Sequence, residues 1–140
     1  MITVPIRVIY GDTDQMGVVY YANYLRYFEA ARNEFIRAKG LRYRDFEAQH
    51  GLVLPVVEAH VSYRTPARYD DLLSVEIALT EARRASARFG YRIVRDDGEL
   101  LATGHTVHAC VDLKGKVQRL PKALLDALSA GELLGGDAKA

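Results

Sequence analysis

The sequence predicts an α+β domain in which a strongly curved antiparallel sheet wraps one long central helix. Three observations point to it. A single long helical pattern follows the first apolar strand, and from residue 52 onward the chain reads as strand after strand. Asp96, Asp97 and Gly98 form a strong hairpin signal between two of those strands. Sequential strands with a segregated helix are the pattern of an antiparallel α+β layer. A chain of 140 residues is long enough to bury one core. Residues 1–130 are assigned to that domain, and 131–140 are expected to be a flexible tail.

Residues 2–10, ITVPIRVIY, are rich in β-branched types. They read as a strand with Ile6, Val8 and Tyr10 on one face and Pro5 near its start or on a sheet edge. Residues 11–20 form a polar turn carrying Asp12, Asp14 and Gly17. The helix then runs to about Lys39, with Gly40 as its terminator and Asn23 as a candidate cap. Tyr24, Phe28, Ala31, Phe35 and Ala38 fall on one stripe at helical spacing. Leu25 and Ile36 share a second stripe about a quarter-turn away, and Arg26, Asn33 and Arg37 lie opposite. So much apolar surface implies burial on two sides, by the sheet and by a partner subunit. Residues 43–50 read as a short helix ending at Gly51.

The strands are expected at 52–64, 72–83, 86–95 and 99–113, with a break at Pro66 and a turn at Lys114 and Gly115. Pro121 suits the first turn of a last helix, PKALLDALSA. An open sheet leaves edges, and edge pairing into a dimer is one way to cover them.

Composition narrows the classes. Hydrophobic content of 49% and charged content of 26% are ordinary for a globular domain. A net charge of +1 argues against a dominant nucleic-acid surface. No apolar run reaches the length of a membrane span, and the N-terminus lacks a signal pattern, so a cytoplasmic location is expected. One cysteine, Cys110, excludes an internal disulfide and carries no mark of an activated thiol. His105 and His108, three apart on a strand, face opposite sides, and His50 and His60 stand alone in the sequence, so no metal site is expected.

The chemistry is expected where the polar turn meets the helix. A carboxylate beside a helix N-terminus is favoured as the anion, and an ionised carboxylate near a carbonyl attacks it or activates a water. Asp14 is the candidate for that role. Free N–H groups around Tyr20 and Tyr21 are placed to polarise the carbonyl oxygen, and Gly17 permits close approach. Asp is also a frequent turn former, and spacing alone leaves both readings open. Arg64, Arg68, Arg83, Arg84, Arg88, Arg92 and Arg95 are available for phosphate contacts, with Arg68 expected to be structural, bonded to Asp70 or Asp71.

The segment Asp12-Thr13-Asp14-Gln15-Met16-Gly17-Val18-Val19-Tyr20-Tyr21-Ala22-Asn23-Tyr24 resembles the signature of the 4-hydroxybenzoyl-CoA thioesterase family. It looks closest to the branch of acyl-CoA thioesterases associated with the Tol-Pal system. Phe28-Glu29-Ala30-Ala31-Arg32, the run from Tyr63 to Asp71, and His108-Ala109-Cys110-Val111-Asp112 with Leu120-Pro121 continue the resemblance. It implies a hotdog fold, an acyl-CoA substrate, no cofactor and no metal. It also implies a homo-oligomer, commonly a dimer of dimers, with active sites at the subunit interface. The family's catalytic aspartate falls on Asp14 and its carbonyl-polarising amide on Tyr21. Val19, Tyr20 and Tyr24 fall beside them as substrate-binding positions. Glu29 falls where 4-hydroxybenzoyl-CoA enzymes meet the ring hydroxyl, although pairing with Arg32 offers it a structural role. The Tol-Pal branch usually carries histidine where this chain has Tyr21; a backbone donor survives that exchange and an imidazole does not. The rival reading is a non-catalytic hotdog dimer that binds acyl-CoA or an acyl carrier protein.

Overall fold

The computed structural model describes residues 1–129, so the expected tail at 131–140 lies outside the described residues. The elements in order are β1 (Ile2–Arg7), α1 (Asn23–Ala38), α2 (Tyr43–His50), β2 (Leu52–Val53), β3 (Val56–Tyr63), β4 (Leu72–Ala82), β5 (Ser86–Arg95), β6 (Leu100–Ala109), β7 (Val111–Asp112) and α3 (Lys122–Ser129). Five strands form one antiparallel sheet in the order β1-β4-β5-β6-β3, and β2 pairs with β7 in a separate two-stranded ladder.

The concave face of the large sheet holds α1. Tyr91 and Gly104 lie directly opposite on β5 and β6, and the Phe28 ring stacks on Tyr91 at a centroid distance of 4.1 Å. A Cβ on Gly104 would sit 2.7 Å from the Phe28 ring and would collide with the His60 carbonyl. Glycine here lets the helix approach the sheet. Tyr24, Phe28, Ala31 and Phe35 are buried as the first stripe requires, and Tyr27 joins them. The second stripe divides: Ile36 is buried, whereas Leu25 is 39% exposed. Ala38, expected on the first stripe, lies exposed in the last turn.

Three boundaries differ from the sequence reading. β1 ends at Arg7, and Ile2, Val4 and Ile6 face inward; Tyr10 begins a single 3₁₀ turn through Asp12 and is 73% exposed. The runs 52–64 and 99–113 are each interrupted, at Leu54–Pro55 and at Cys110. The two breaks face each other, and the short pieces beyond them pair as β2 with β7. α1 begins one residue after Ala22, so Asn23 is its first residue rather than its cap. Pro5 lies on an edge strand, as a residue without an N–H donor must. The other edge is β3, largely exposed along its whole length.

Candidate active site

The loop between Asp12 and Tyr20 is a tight hairpin. The Asp14 N–H donates to Val18 O (2.9 Å), the Gly17 N–H donates to Asp14 O (3.0 Å), and Thr13 bridges Val19. Closing so short a loop needs a left-handed residue, and Gly17 supplies it at φ 80°. Nothing lies near a Cβ built there, so within this chain the requirement on Gly17 is conformational. The Met16 N–H donates to Asp14 Oδ1 (2.9 Å), which orients the half-buried carboxylate at the tip.

Asp12 does different work. It is buried, and its Oδ2 accepts from Tyr27 OH (2.8 Å) and from the Ile9 N–H (3.2 Å). Its carbonyl accepts from the Tyr20 N–H (2.9 Å) and from Asn23 Nδ2 (2.9 Å). Burial raises the Tyr27 pKa, and the Asp12 carboxylate raises it further, so the phenol stays a donor. The Tyr27 and Asn23 bonds fasten the hairpin to α1, and the Ile9 and Tyr20 bonds close the turn and the hairpin on themselves. The first carboxylate is consumed by structure, and the second is left at the surface.

The start of α1 is pinned from both sides. Tyr20 O accepts from the Asn23 N–H (2.8 Å), and Tyr63 OH on β3 donates to Tyr21 O (2.8 Å). The C=O of Tyr20 and the N–H of Tyr21 belong to one planar trans peptide and point opposite ways. Holding Tyr20 O toward the helix therefore turns the Tyr21 N–H outward. Among the described residues nothing accepts from the Tyr21 or Ala22 N–H. These are donors that a helix start leaves unpaired, at the positive end of the α1 dipole. The Tyr20 pKa is raised mainly by the Tyr21 phenol beside it and also by the negative charge of Asp14.

The structure thus gathers Asp14, Gly17, Tyr20 and Tyr21 at one hairpin–helix junction. Val19 and Tyr24 stand behind it in the core, 3% and 2% exposed, with Tyr24 OH accepting from the Ala67 N–H (3.1 Å). They shape the wall rather than present a surface. Glu29 lies farther along α1 on the rim of a cavity of about 400 Å³ between α1, α2 and the link from β2 to β3. Its ion pair with Arg32 is long, at 3.9 Å.

Several supporting residues escaped the sequence reading. Tyr63 and the Asp12–Tyr27 pair are visible only once the register is known. The same holds for a buried chain of hydrogen bonds beneath the cavity. Arg32 Nη1 donates to Tyr91 OH (3.0 Å), and Tyr91 OH lies 2.7 Å from Thr106 Oγ1. His108 Nε2 lies 2.9 Å from the same oxygen, and His108 Nδ1 donates to Leu54 O (2.9 Å). Burial depresses the His108 pKa to about 4; the Leu54 carbonyl opposes that shift and the Arg32 charge adds to it.

Arg68 is bonded to Asp71 as expected, through its backbone N–H to Asp71 Oδ2 (2.9 Å). His60, isolated in the sequence, stacks on His105 across the strand pair at 5.3 Å. His105 and His108 do face opposite sides of β6, since His108 lies on the α1 side and His105 on the other. Burial pushes the Cys110 thiol pKa up. Among the described residues no group of three or more His, Cys, Asp or Glu is arranged to hold a metal, and no helix is long and apolar enough to cross a membrane.

Comparison with known proteins gives a consistent picture. The model of the thioesterase-like superfamily matches residues 8–128. The acyl-CoA thioester hydrolase YbgC of Escherichia coli is 38% identical over 122 residues, covering 86% of this chain and 90% of the relative. The 1,4-dihydroxy-2-naphthoyl-CoA hydrolase of Synechococcus elongatus is 35% identical over 125 residues, covering 87% and 91%. The crystal structure of a 1,4-dihydroxy-2-naphthoyl-CoA thioesterase from Synechocystis superposes with a TM-score of 0.85 at 28% identity, over 91% of this chain and 95% of that one.

Proposed function

This chain belongs to the thioesterase-like superfamily, and from that membership we propose that it hydrolyses an acyl-CoA thioester to the free acid and CoA, with Asp14 and the Tyr21 amide as its working groups. The observation that carries the proposal is the unpaired Tyr21 N–H at the start of α1, on the same junction as the hairpin that presents Asp14. The thioester carbonyl oxygen is taken up by that N–H, which meets the negative charge that develops on it. The Asp14 carboxylate then either attacks the carbonyl carbon, forming an acyl-aspartyl anhydride that water hydrolyses to free acid and carboxylate after the thiol has left, or takes a proton from the water that attacks and passes it to the departing sulfur. The carbon–sulfur bond breaks and the sulfur leaves as the CoA thiol. Neither route calls on a cofactor, and both make Asp14 indispensable.

The site is completed by a second copy of the chain. The side of β3 turned away from β6 is an open edge eight residues long, with Val56, Val57 and Tyr63 at 47%, 61% and 48% exposure. Tyr63 also touches the Tyr21 turn, so pairing along β3 brings the partner's strand beside the junction and walls it in. Pairing of such dimers into a tetramer fits the same plan, as does delivery of the acyl group on a carrier protein instead of CoA.

The test is thiol release from a panel of aliphatic and aromatic acyl-CoAs by the wild type and by Asp14→Asn. The variant should keep its melting temperature and lose about a hundredfold or more in kcat/KM. Full activity in Asp14→Asn removes that carboxylate from the mechanism. Tight binding of every ester by the wild type with no thiol released replaces hydrolysis with a binding role.

A further inference from the structure

Tyr21, Leu25, Glu29, Arg32 and Ile36 recur at steps of four, four, three and four, which places them in one line along α1. The line starts at the unpaired amide, crosses the exposed apolar side chain of Leu25, and ends in the 400 Å³ cavity. Arg32 follows Tyr21 by 11 residues, about 16 Å along the axis, and helical side chains lean back toward the N-terminus.

The cavity is apolar along Ile36, Leu54, Val56 and Phe89, and polar where Glu29, Arg32 and Asn33 enter. The Arg32 side chain is only 13% exposed. A guanidinium has five N–H donors. One is spent on Tyr91 OH, and the 3.9 Å approach to Glu29 is beyond hydrogen-bond reach. The Asn33 carboxamide, also in the cavity, has no partner among the described residues.

The buried chain of bonds fixes where Arg32 points. Leu54 O only accepts, so His108 carries its proton on Nδ1, and its Nε2 accepts from the Thr106 hydroxyl. Thr106 Oγ1 in turn accepts from Tyr91 OH, which accepts from Arg32. Each donor is used once in a single direction. The remaining Arg32 donors are left for whatever enters the cavity.

We propose that this cavity receives the far end of the acyl group and that Arg32, with Asn33, selects acyl groups carrying an oxygen acceptor there. The inference rests on the thioesterase reading of the Asp14 junction. Arg32 determines specificity and takes no part in the chemistry. An oxygen at the acyl terminus gains a charge-assisted hydrogen bond. A methyl terminus desolvates the guanidinium without satisfying the donors that Tyr91 leaves over.

The experiment compares octanoyl-CoA with two esters of the same chain length, one ending in a hydroxyl and one in a carboxylate. Both chemistry and binding are read, the latter with non-hydrolysable thioether analogues. The wild type should favour the oxygen-ended ligands by about tenfold or more. Arg32→Met should bring that ratio toward one, through KM and analogue affinity rather than kcat. Asn33→Ala, at a half-exposed helix position, should lower the ratio several-fold and serves if Arg32→Met does not fold. The two oxygen-ended esters distinguish a neutral from an anionic acceptor. Equal binding of all three analogues by the wild type, or an unchanged preference in a folded variant, overturns the inference. Wild type that shows the preference in binding but releases no thiol upholds the cavity assignment and refutes hydrolysis alone.

Discussion

His108 should make the fold acid-labile, and the magnitude follows from its surroundings. The imidazole is 2% exposed, spends Nδ1–H on Leu54 O, and has its pKa lowered from 6.5 to about 4. Folding therefore disfavours the protonated form. Above pH 6.5 the folded and unfolded chains both hold a neutral imidazole, and the full stability is present. As pH falls through the window from 6.5 to about 4, the unfolded chain takes up a proton that the folded chain refuses. Stability is lost across that window and levels off once the folded form also protonates. Proton uptake by the unfolded chain alone, from pH 6.5 down to about 4, at about 1.36 kcal/mol per pH step, gives a loss of about 3 kcal/mol, a large share of a typical domain's stability. The assay is urea unfolding of the wild type and His108→Gln at a series of pH values from 7 to about 4. Glutamine retains a donor for Leu54 O and an acceptor for Thr106 but does not titrate. The difference between the two proteins should shrink by about 3 kcal/mol as pH falls, with most of the change below pH 6.5. A pH-independent difference would show that His108 titrates alike in both states and refute the argument.

Four further outcomes follow from particular contacts. Gly17→Ala should destabilise by about 1–2 kcal/mol, because a residue with a Cβ is strained at φ 80°, and should impair turnover beyond that loss by displacing Asp14; paired melting and kinetic measurements check it. Gly104→Ala should cost about 1–3 kcal/mol or more, since the new methyl meets the Phe28 ring and the His60 carbonyl; a folded variant with unchanged urea midpoint contradicts the close packing of α1. Val57→Lys, on the exposed β3 edge, should shift the protein toward monomer in analytical ultracentrifugation and lower activity with it. Cys110 should resist a thiol reagent in the native protein and react at once in denaturant, because burial both hides the sulfur and raises its pKa; fast native labelling counts against the tight corner between β6 and β7.

Periodicity and turn chemistry made the architecture legible. The helical stripe of Tyr24, Phe28, Ala31 and Phe35, the terminators Gly40 and Gly51, and the hairpin at Gly98 all lie where their residue types require. What stayed hidden was whatever depends on register. The runs 52–64 and 99–113 look continuous because their breaks, at Pro55 and Cys110, matter only when the two segments face each other. Leu25 and Ile36 share a stripe, yet α2 and the following link cover only the Ile36 end, so the same apolar side is buried at one end of α1 and open at the other. Asp12 and Asp14 are alike as residues two apart in a polar turn. Their roles separate when Tyr27, one helical turn beyond Asn23, reaches back to Asp12 and leaves the tip to Asp14. His60 and His105, or Arg32 and His108, acquire meaning in the same way, through neighbours dozens of residues distant. The sequence therefore states which side of each element is apolar, and strand pairing decides which polar groups meet across it. A folded chain can spend one carboxylate and one histidine on its scaffold while keeping one oxygen of the Asp14 carboxylate and the Tyr21 amide uncommitted, and that division is where a catalytic reading of this junction stands or falls.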